Sequence, residues 1–241
     1  PCHQKDEATT VAEAAAALAH QNPTSNRNPK KKVVKWQEGG VPLEAKERLL
    51  RQKACVIWLT GLPASGKSAV AAALEKQLCG GTRKRATALL DGDNLRHGLC
   101  SDLGFTPADR AENVRRVGEA ARLLSCGGGG LLAIAALVSP YRAHREAVRR
   151  SLPPGRFVEV FVDSPLELCE RRDPKGLYAA SRSGTLRGLT GVDAPYEEPG
   201  RPEVVVRPRE ENGGAEAAAA EVVLFLEKEG LIPREGAEDG N

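Results

Sequence analysis

The chain has 241 residues, 41% of them apolar, a net charge of +3 and only 4% aromatic residues. That length suits one substantial α/β domain with tails, whose core needs neither disulfides nor a structural metal. No run approaches the ~20 apolar residues of a membrane span, and so mild a charge with so few rings argues against nucleic acid as a partner.

The six cysteines (Cys2, Cys55, Cys79, Cys100, Cys126, Cys169) form no C-x-x-C pair and no Cys/His cluster with zinc spacing. They read as reduced, mostly structural thiols of an intracellular protein. The chain opens on Pro1 and has no methionine, so it reads as a fragment, a processed form or an incomplete gene model. Any targeting peptide would then be missing from it.

In chain order, residues 1–42 read as a flexible extension, with a short alanine-rich helix from Val11 to His20 and an Asn/Pro/Lys linker over 21–32. The folded domain is expected over 43–232 and a short tail over 233–241. Residues 43–53 have helical character. Residues 55–60, CVIWLT, form an apolar run of strand length, as in a parallel strand buried on both faces. A helix follows, with Val70, Leu74 and Leu78 at four-residue spacing, and ends at Gly80–Gly81. A second strand spans Ala86–Leu90. The next helix starts at Thr106, a fit N-cap, with Pro107 at its first position and acidic Asp109 at its third. Its buried face is Val114, Val117, Ala121 and Leu124. Four glycines, 127–130, end it and are expected to loosen the connection.

A third strand is expected over 131–138, a basic helix over 141–151, a fourth strand over 157–162 and a helix after Pro165. Residues 174–200, rich in Gly, Ser, Arg and Pro, read as a mobile lid segment. A strand at 203–206 and a helix at 215–229 close the domain. Strands alternating with helices mean a parallel sheet with helices on both faces.

Residues 61–68, Gly61-Leu62-Pro63-Ala64-Ser65-Gly66-Lys67-Ser68, match G-x-x-x-x-G-K-[ST] between a strand and a helix. Gly61 and Gly66 allow the tight turn, and the N–H groups form an anion nest at a helix N-terminus. Lys67 is placed to reach the β- and γ-phosphates of ATP, and the Ser68 hydroxyl to ligate Mg²⁺. A phosphoryl donor site is thereby expected, without its acceptor.

Asp91-Gly92-Asp93 lies at the carboxyl end of the second strand, and in parallel sheets ligands bind beyond the carboxyl ends of strands. Two carboxylates there suit orienting an acceptor hydroxyl, taking its proton, or holding Mg²⁺. A helix cap or Asx-turn is an equal reading. Arg110 and Asn113 share one helix face and both suit an anionic acceptor.

These motifs together resemble one family, the adenylyl-sulfate kinases, through GLPASGKS (61–68), DGDNLRHGL (91–99), LGFTPADRAENVRRVGE (103–119), SPYRAHREAVR (139–149), FVEVFVDSPLELCERRDPKGLY (157–178) and GLTGVDAPYEEP (188–199). The flanks are most similar to the plant and algal branch. The resemblance implies a three-layer α/β/α P-loop kinase fold with a mostly parallel sheet and a mobile lid over about 174–200. It implies phosphorylation of the 3′-hydroxyl of adenylyl sulfate by ATP with Mg²⁺.

It also implies site roles. Asp93 orients and deprotonates the hydroxyl and joins Ser68 at the metal, with Asp91 and Gly92 beside it. Asn94, Arg96, Arg110 and Asn113 hold the phosphosulfate and ribose, and Phe105 stacks on the adenine. Ser139 is carried over as a catalytic position that binds substrate rather than a covalent intermediate. Lys175 and Arg182 belong to the lid, and Gly188 and Leu189 to the substrate wall. A homodimer in the chloroplast stroma is expected, with the cytoplasm as the alternative.

Two departures stand out. Leu189 replaces the phenylalanine expected on the second adenine face. Gly39 stands where the plant-type partner of Cys55 belongs, so no such regulatory disulfide is expected. The alternatives are another small-molecule P-loop kinase, a non-catalytic nucleotide-binding homologue, or a GTPase. The last would need an N-K-x-D element, and the sequence has none.

Overall fold

The computed structural model describes residues 35–37, 39–209, 211 and 213–235. Most of the expected extension, including the helix read at 11–20, lies outside the described residues, as does Cys2. The chain divides into two compact units, residues 1–38 and 39–241, and the sheet with its helices belongs to the second.

A five-stranded, wholly parallel sheet forms the centre of that unit, in the order β2-β3-β1-β4-β5. The strands are β1 (Cys55–Thr60), β2 (Thr87–Asp91), β3 (Leu132–Ala136), β4 (Phe157–Val162) and β5 (Val204–Val206). All six residues of β1 are buried, as an apolar run in the central strand requires. Alternation splits them between two cores. Cys55, Ile57 and Leu59 pack with α2 (Lys67–Cys79) and α8 (Gly214–Lys228). Val56 and Trp58 pack with α4 (Pro107–Leu124) and α5 (Arg142–Arg150). Cys55 is fully buried and its thiol is pushed up to about 12 by burial. The chain runs from β1 out to β2 and β3 and then returns past β1 to β4. The carboxyl end of β1 is therefore a switch point, where parallel sheets open a crevice.

Helix α1 (Leu43–Leu50) precedes the sheet and has no fully buried residue. It is pinned by Glu47, which takes Arg156 at 2.9 Å and the Ala54 N–H at 2.8 Å. Helix α4 begins as its sequence dictates. Thr106 Oγ1 accepts the Asp109 N–H, while the Asp109 carboxylate accepts from the Thr106 N–H and hydroxyl. This reciprocal box fixes the start of the helix that carries Arg110 and Asn113. Thr106→Ala is expected to cost about 1 kcal/mol, read as a lower midpoint in denaturant titration at unchanged slope.

Two expectations are corrected. The third strand is shorter than 131–138, because it ends at Ala136 and the backbone turns at Ser139, φ +39. Residues 174–200, read as a lid segment, carry α7 (Leu177–Arg182) after α6 (Leu166–Arg172), and Tyr178, Leu189 and Thr190 are buried. Their apolar anchors lie too far apart in sequence to show periodicity. The glycine run is a tight connection rather than a loose one. A Cβ at Gly129 would lie 2.0 Å from the Leu124 carbonyl oxygen, a clash only glycine avoids.

Candidate functional site

A cavity of about 950 Å³ opens at the carboxyl ends of the strands, and every site position expected from sequence except Gly61, Leu62, Ser65 and Arg182 lines it. The donor side is the loop between β1 and α2. Gly61 leaves no room for a side chain, since a Cβ there would lie 2.6 Å from the Val162 carbonyl oxygen. Ser65 is buried and its carbonyl accepts from Ser164 Oγ at 2.9 Å, which ties the loop to the end of β4.

Lys67 is 8% exposed and its Nζ donates to the Gly61 and Leu62 carbonyls at 3.1 and 2.6 Å. Burial lowers it to about 8 from the usual lysine value, opposed by the nearby Cys169, Asp91 and Asp93. The lysine is therefore held in the loop by carbonyl dipoles, beside the nest of N–H groups. Arg172, at the end of α6, donates to the Pro208 carbonyl at 2.7 Å and lies over the Ser65 carbonyl at 3.4 Å. Sequence reasoning assigns neither Arg172 nor Pro208 to the site, although Arg172 lies in the resembling stretch 157–178; the available signal is their place at the end of α6 and just past β5.

The acceptor side starts at the end of β2. Asp91 caps the short helix α3 (Gly92–Leu95) by accepting the Asp93 N–H at 2.9 Å, and its other oxygen accepts the Ser68 hydroxyl at 2.6 Å. The two carboxylates are thus differently placed. Asp91 is the cap and meets the phosphate loop, while Asp93 faces the cavity. The Asp93 carboxylate pairs with Lys175 of the lid, and the two side chains are 58% and 54% exposed. A pair so exposed stabilises little, so it can open when anionic groups enter.

Phe105 is 65% exposed, with the Arg96 guanidinium 4.3 Å and the Arg110 guanidinium 5.8 Å from its ring centroid. Arg96 is anchored on the Leu103 and Gly104 carbonyls, and Arg110 on Phe105 and, at 2.9 Å, the Gly188 carbonyl of the lid. Asn113 is 5% exposed and its amide nitrogen makes no hydrogen bond among the described residues. A buried donor without a partner costs ~1–3 kcal/mol, which points to a ligand acceptor. Arg182 lies outside this wall and pairs with Glu170.

Leu189 lines the cavity but is only 7% exposed. It packs with Cys169 and Tyr178, against Leu62 and Ala64 of the phosphate loop. Tyr178, which sequence reasoning misses as a site residue, donates its hydroxyl to the Pro63 carbonyl at 2.9 Å. Lid and phosphate loop thus share one apolar cluster. Ser139 is 3% exposed with φ +39. Its Oγ accepts the Trp58 indole N–H at 3.0 Å and lies 3.1 Å from Thr60 Oγ1. A hydroxyl so committed is a poor nucleophile.

A model of the family described as adenylylsulphate kinase matches residues 53–207. Adenylyl-sulfate kinase 3 of Arabidopsis thaliana is 47% identical over 201 residues, 83% of this chain and 95% of that protein. Adenylyl-sulfate kinase 1, chloroplastic, from the same plant is 49% identical over 199 residues, 83% of this chain and 70% of its own length. Among solved structures, the Mycobacterium tuberculosis APS kinase CysC in complex with AMPPNP and APS superposes with a TM-score of 0.66 at 43% identity. It covers 73% of this chain and 99% of that one.

Proposed function

The chain belongs to the adenylyl-sulfate kinase family, and on that premise we propose how its own residues divide the reaction between them. The reaction transfers the γ-phosphoryl group of ATP to the 3′-hydroxyl of adenylyl sulfate, giving 3′-phosphoadenylyl sulfate and ADP. The observation that supports the residue roles best is the cavity itself. The Lys67 loop shares one cavity with Asp93, Arg96, Phe105, Arg110 and Asn113, and Lys175 pairs with Asp93 there.

ATP would place its phosphates on the N–H groups of residues 61–68, with Lys67 against the β- and γ-phosphates. Asp93 would accept the proton of the 3′-hydroxyl as its oxygen attacks the γ-phosphorus, while the bond from that phosphorus to the β-phosphate oxygen breaks and ADP leaves. Lys175 would exchange the Asp93 carboxylate for the phosphates as the lid settles, and so neutralise charge developing in transfer. The sulfate and phosphate of the acceptor suit Arg96, Arg110 and the unpartnered Asn113 amide, and its adenine suits the open Phe105 face. Ser139 would shape the wall rather than receive phosphate.

Mg²⁺ fits this site, because Ser68 Oγ and Asp91 Oδ2 lie 2.6 Å apart as hard oxygen donors beside the phosphate loop. The family resemblance implies Ser68 with Asp93, whereas the geometry favours Ser68 with Asp91. Bound there, the cation would neutralise phosphate charge. The family resemblance supports a homodimer, which light scattering tests, and the plant-branch resemblance supports the chloroplast stroma, with the cytoplasm as the alternative, which fractionation tests.

A coupled ADP-release assay should show turnover with adenylyl sulfate and none with gluconate or nucleoside monophosphates. Turnover with either of the latter as the better acceptor would overturn the reading. Leu189→Phe should lower KM for adenylyl sulfate, by an amount corresponding to ~1–3 kcal/mol of restored stacking, with kcat nearly unchanged. An unchanged KM would mean that residue 189 acts only within the lid cluster.

A further inference from the structure

The turn at 138–140 is held by a buried arginine that does not line the cavity. Ser139 sits at φ +39, a left-handed backbone that costs a non-glycine residue ~1–2 kcal/mol. Something must hold it there. From inside, its Oγ is fixed by Trp58 and Thr60. From outside, its carbonyl accepts Arg145 NH1 at 2.7 Å.

Arg145 is 2% exposed and every arm of its guanidinium is used. Nε meets the buried Glu159 carboxylate at 2.7 Å, and NH2 donates to the Glu197 carbonyl at 2.8 Å. Glu197 follows the buried part of the lid. Its N–H bonds the Pro140 carbonyl at 2.8 Å and its carboxylate takes the Arg142 N–H at 2.8 Å. Beside it, the Tyr196 hydroxyl lies 3.0 Å from Thr60 Oγ1. One guanidinium therefore joins the sheet through Glu159, the strained cavity turn through Ser139, and the returning end of the lid through Glu197. A buried ion pair adds little net stability over a well-packed apolar pair, so stability alone does not account for this arrangement.

We propose that Arg145, set by Glu159, is a positioning residue for the acceptor: it holds the Ser139 turn and the 196–198 end of the lid in the register that adenylyl sulfate requires. Among the described residues Arg145 makes no hydrogen bond or ion pair to residues 61–68, and that loop is tied through Ser65 to Ser164 and through Pro63 to Tyr178. The inference rests on the adenylyl-sulfate kinase reading.

The test is the double variant Arg145→Met/Glu159→Gln, which leaves no buried charge unpaired, with Arg149 still paired to Glu203. A displaced wall of about 1 Å can cost up to about a hundredfold. The expected result is KM for adenylyl sulfate raised by about tenfold or more, with KM for ATP within about twofold of wild type and the folded circular-dichroism spectrum kept. A folded double variant with unchanged KM for adenylyl sulfate, or with both KM values rising together, overturns the inference.

Arg145→Lys, which keeps the charge but loses the fork, decides the matter if the double variant does not fold. It should give the same one-sided rise, and no rise counts against the proposal. Loss of fold in both would assign Arg145 to stability alone. Wild-type protein inactive on adenylyl sulfate would sink the functional reading itself. Active wild type with an indifferent variant would sink only this inference.

Discussion

Asp93→Ala is expected to lower turnover with adenylyl sulfate by about 10²–10⁴-fold, the usual range for removing a positioned general base, while nucleotide affinity stays close to wild type. Asp93 is exposed at the cavity and its side chain pairs with Lys175, so its loss should not disturb the fold. Asp91 behaves differently. It caps α3 and accepts from Ser68, so Asp91→Ala should weaken Mg²⁺-dependent nucleotide binding as well as turnover. Single-turnover kinetics at saturating ATP separate the two, and full activity in Asp93→Ala would remove the acceptor role given to it.

Lys67→Met should lower kcat by about 10²–10³-fold, by comparison with removal of one preorganised donor from a developing anion. The wild-type lysine also predicts a pH dependence. In the free protein burial holds Lys67 down at about 8, so near that pH it is about half neutral. Bound polyphosphate favours the ammonium form and raises the value again. Nucleotide binding should therefore take up a proton around pH 8, and affinity should fall as pH rises above it. Titration calorimetry in buffers of different ionisation enthalpy reads this directly. Proton uptake absent at pH 8, or equally present in Lys67→Met, would contradict it.

Much of this is legible in the chain because local chemistry decides it. The continuous apolar run of β1, the Gly-rich loop and the Thr106–Asp109 box each specify their own geometry. Opaque features depend on distant partners. The Asp91 cap on the Asp93 N–H is local, but only the contact with Ser68, 23 residues upstream of Asp91, sets Asp91 at the phosphate loop and leaves Asp93 as the open carboxylate. Tyr178 and Leu189 lie in a stretch without periodicity, because their packing partners are Leu62 and Ala64 of the phosphate loop. Arg145 reads in sequence as one more charge on a basic helix. Only the fold brings Glu159, Ser139 and Glu197 around it.

The most direct measurement is ADP formation by the purified chain with ATP and Mg²⁺, with and without adenylyl sulfate, with the product followed by ³¹P NMR. ADP release that requires adenylyl sulfate and matches one 3′-phosphorylated product, and that collapses in Asp93→Ala, is the predicted result. ADP release independent of adenylyl sulfate, or undiminished in Asp93→Ala, would contradict the account.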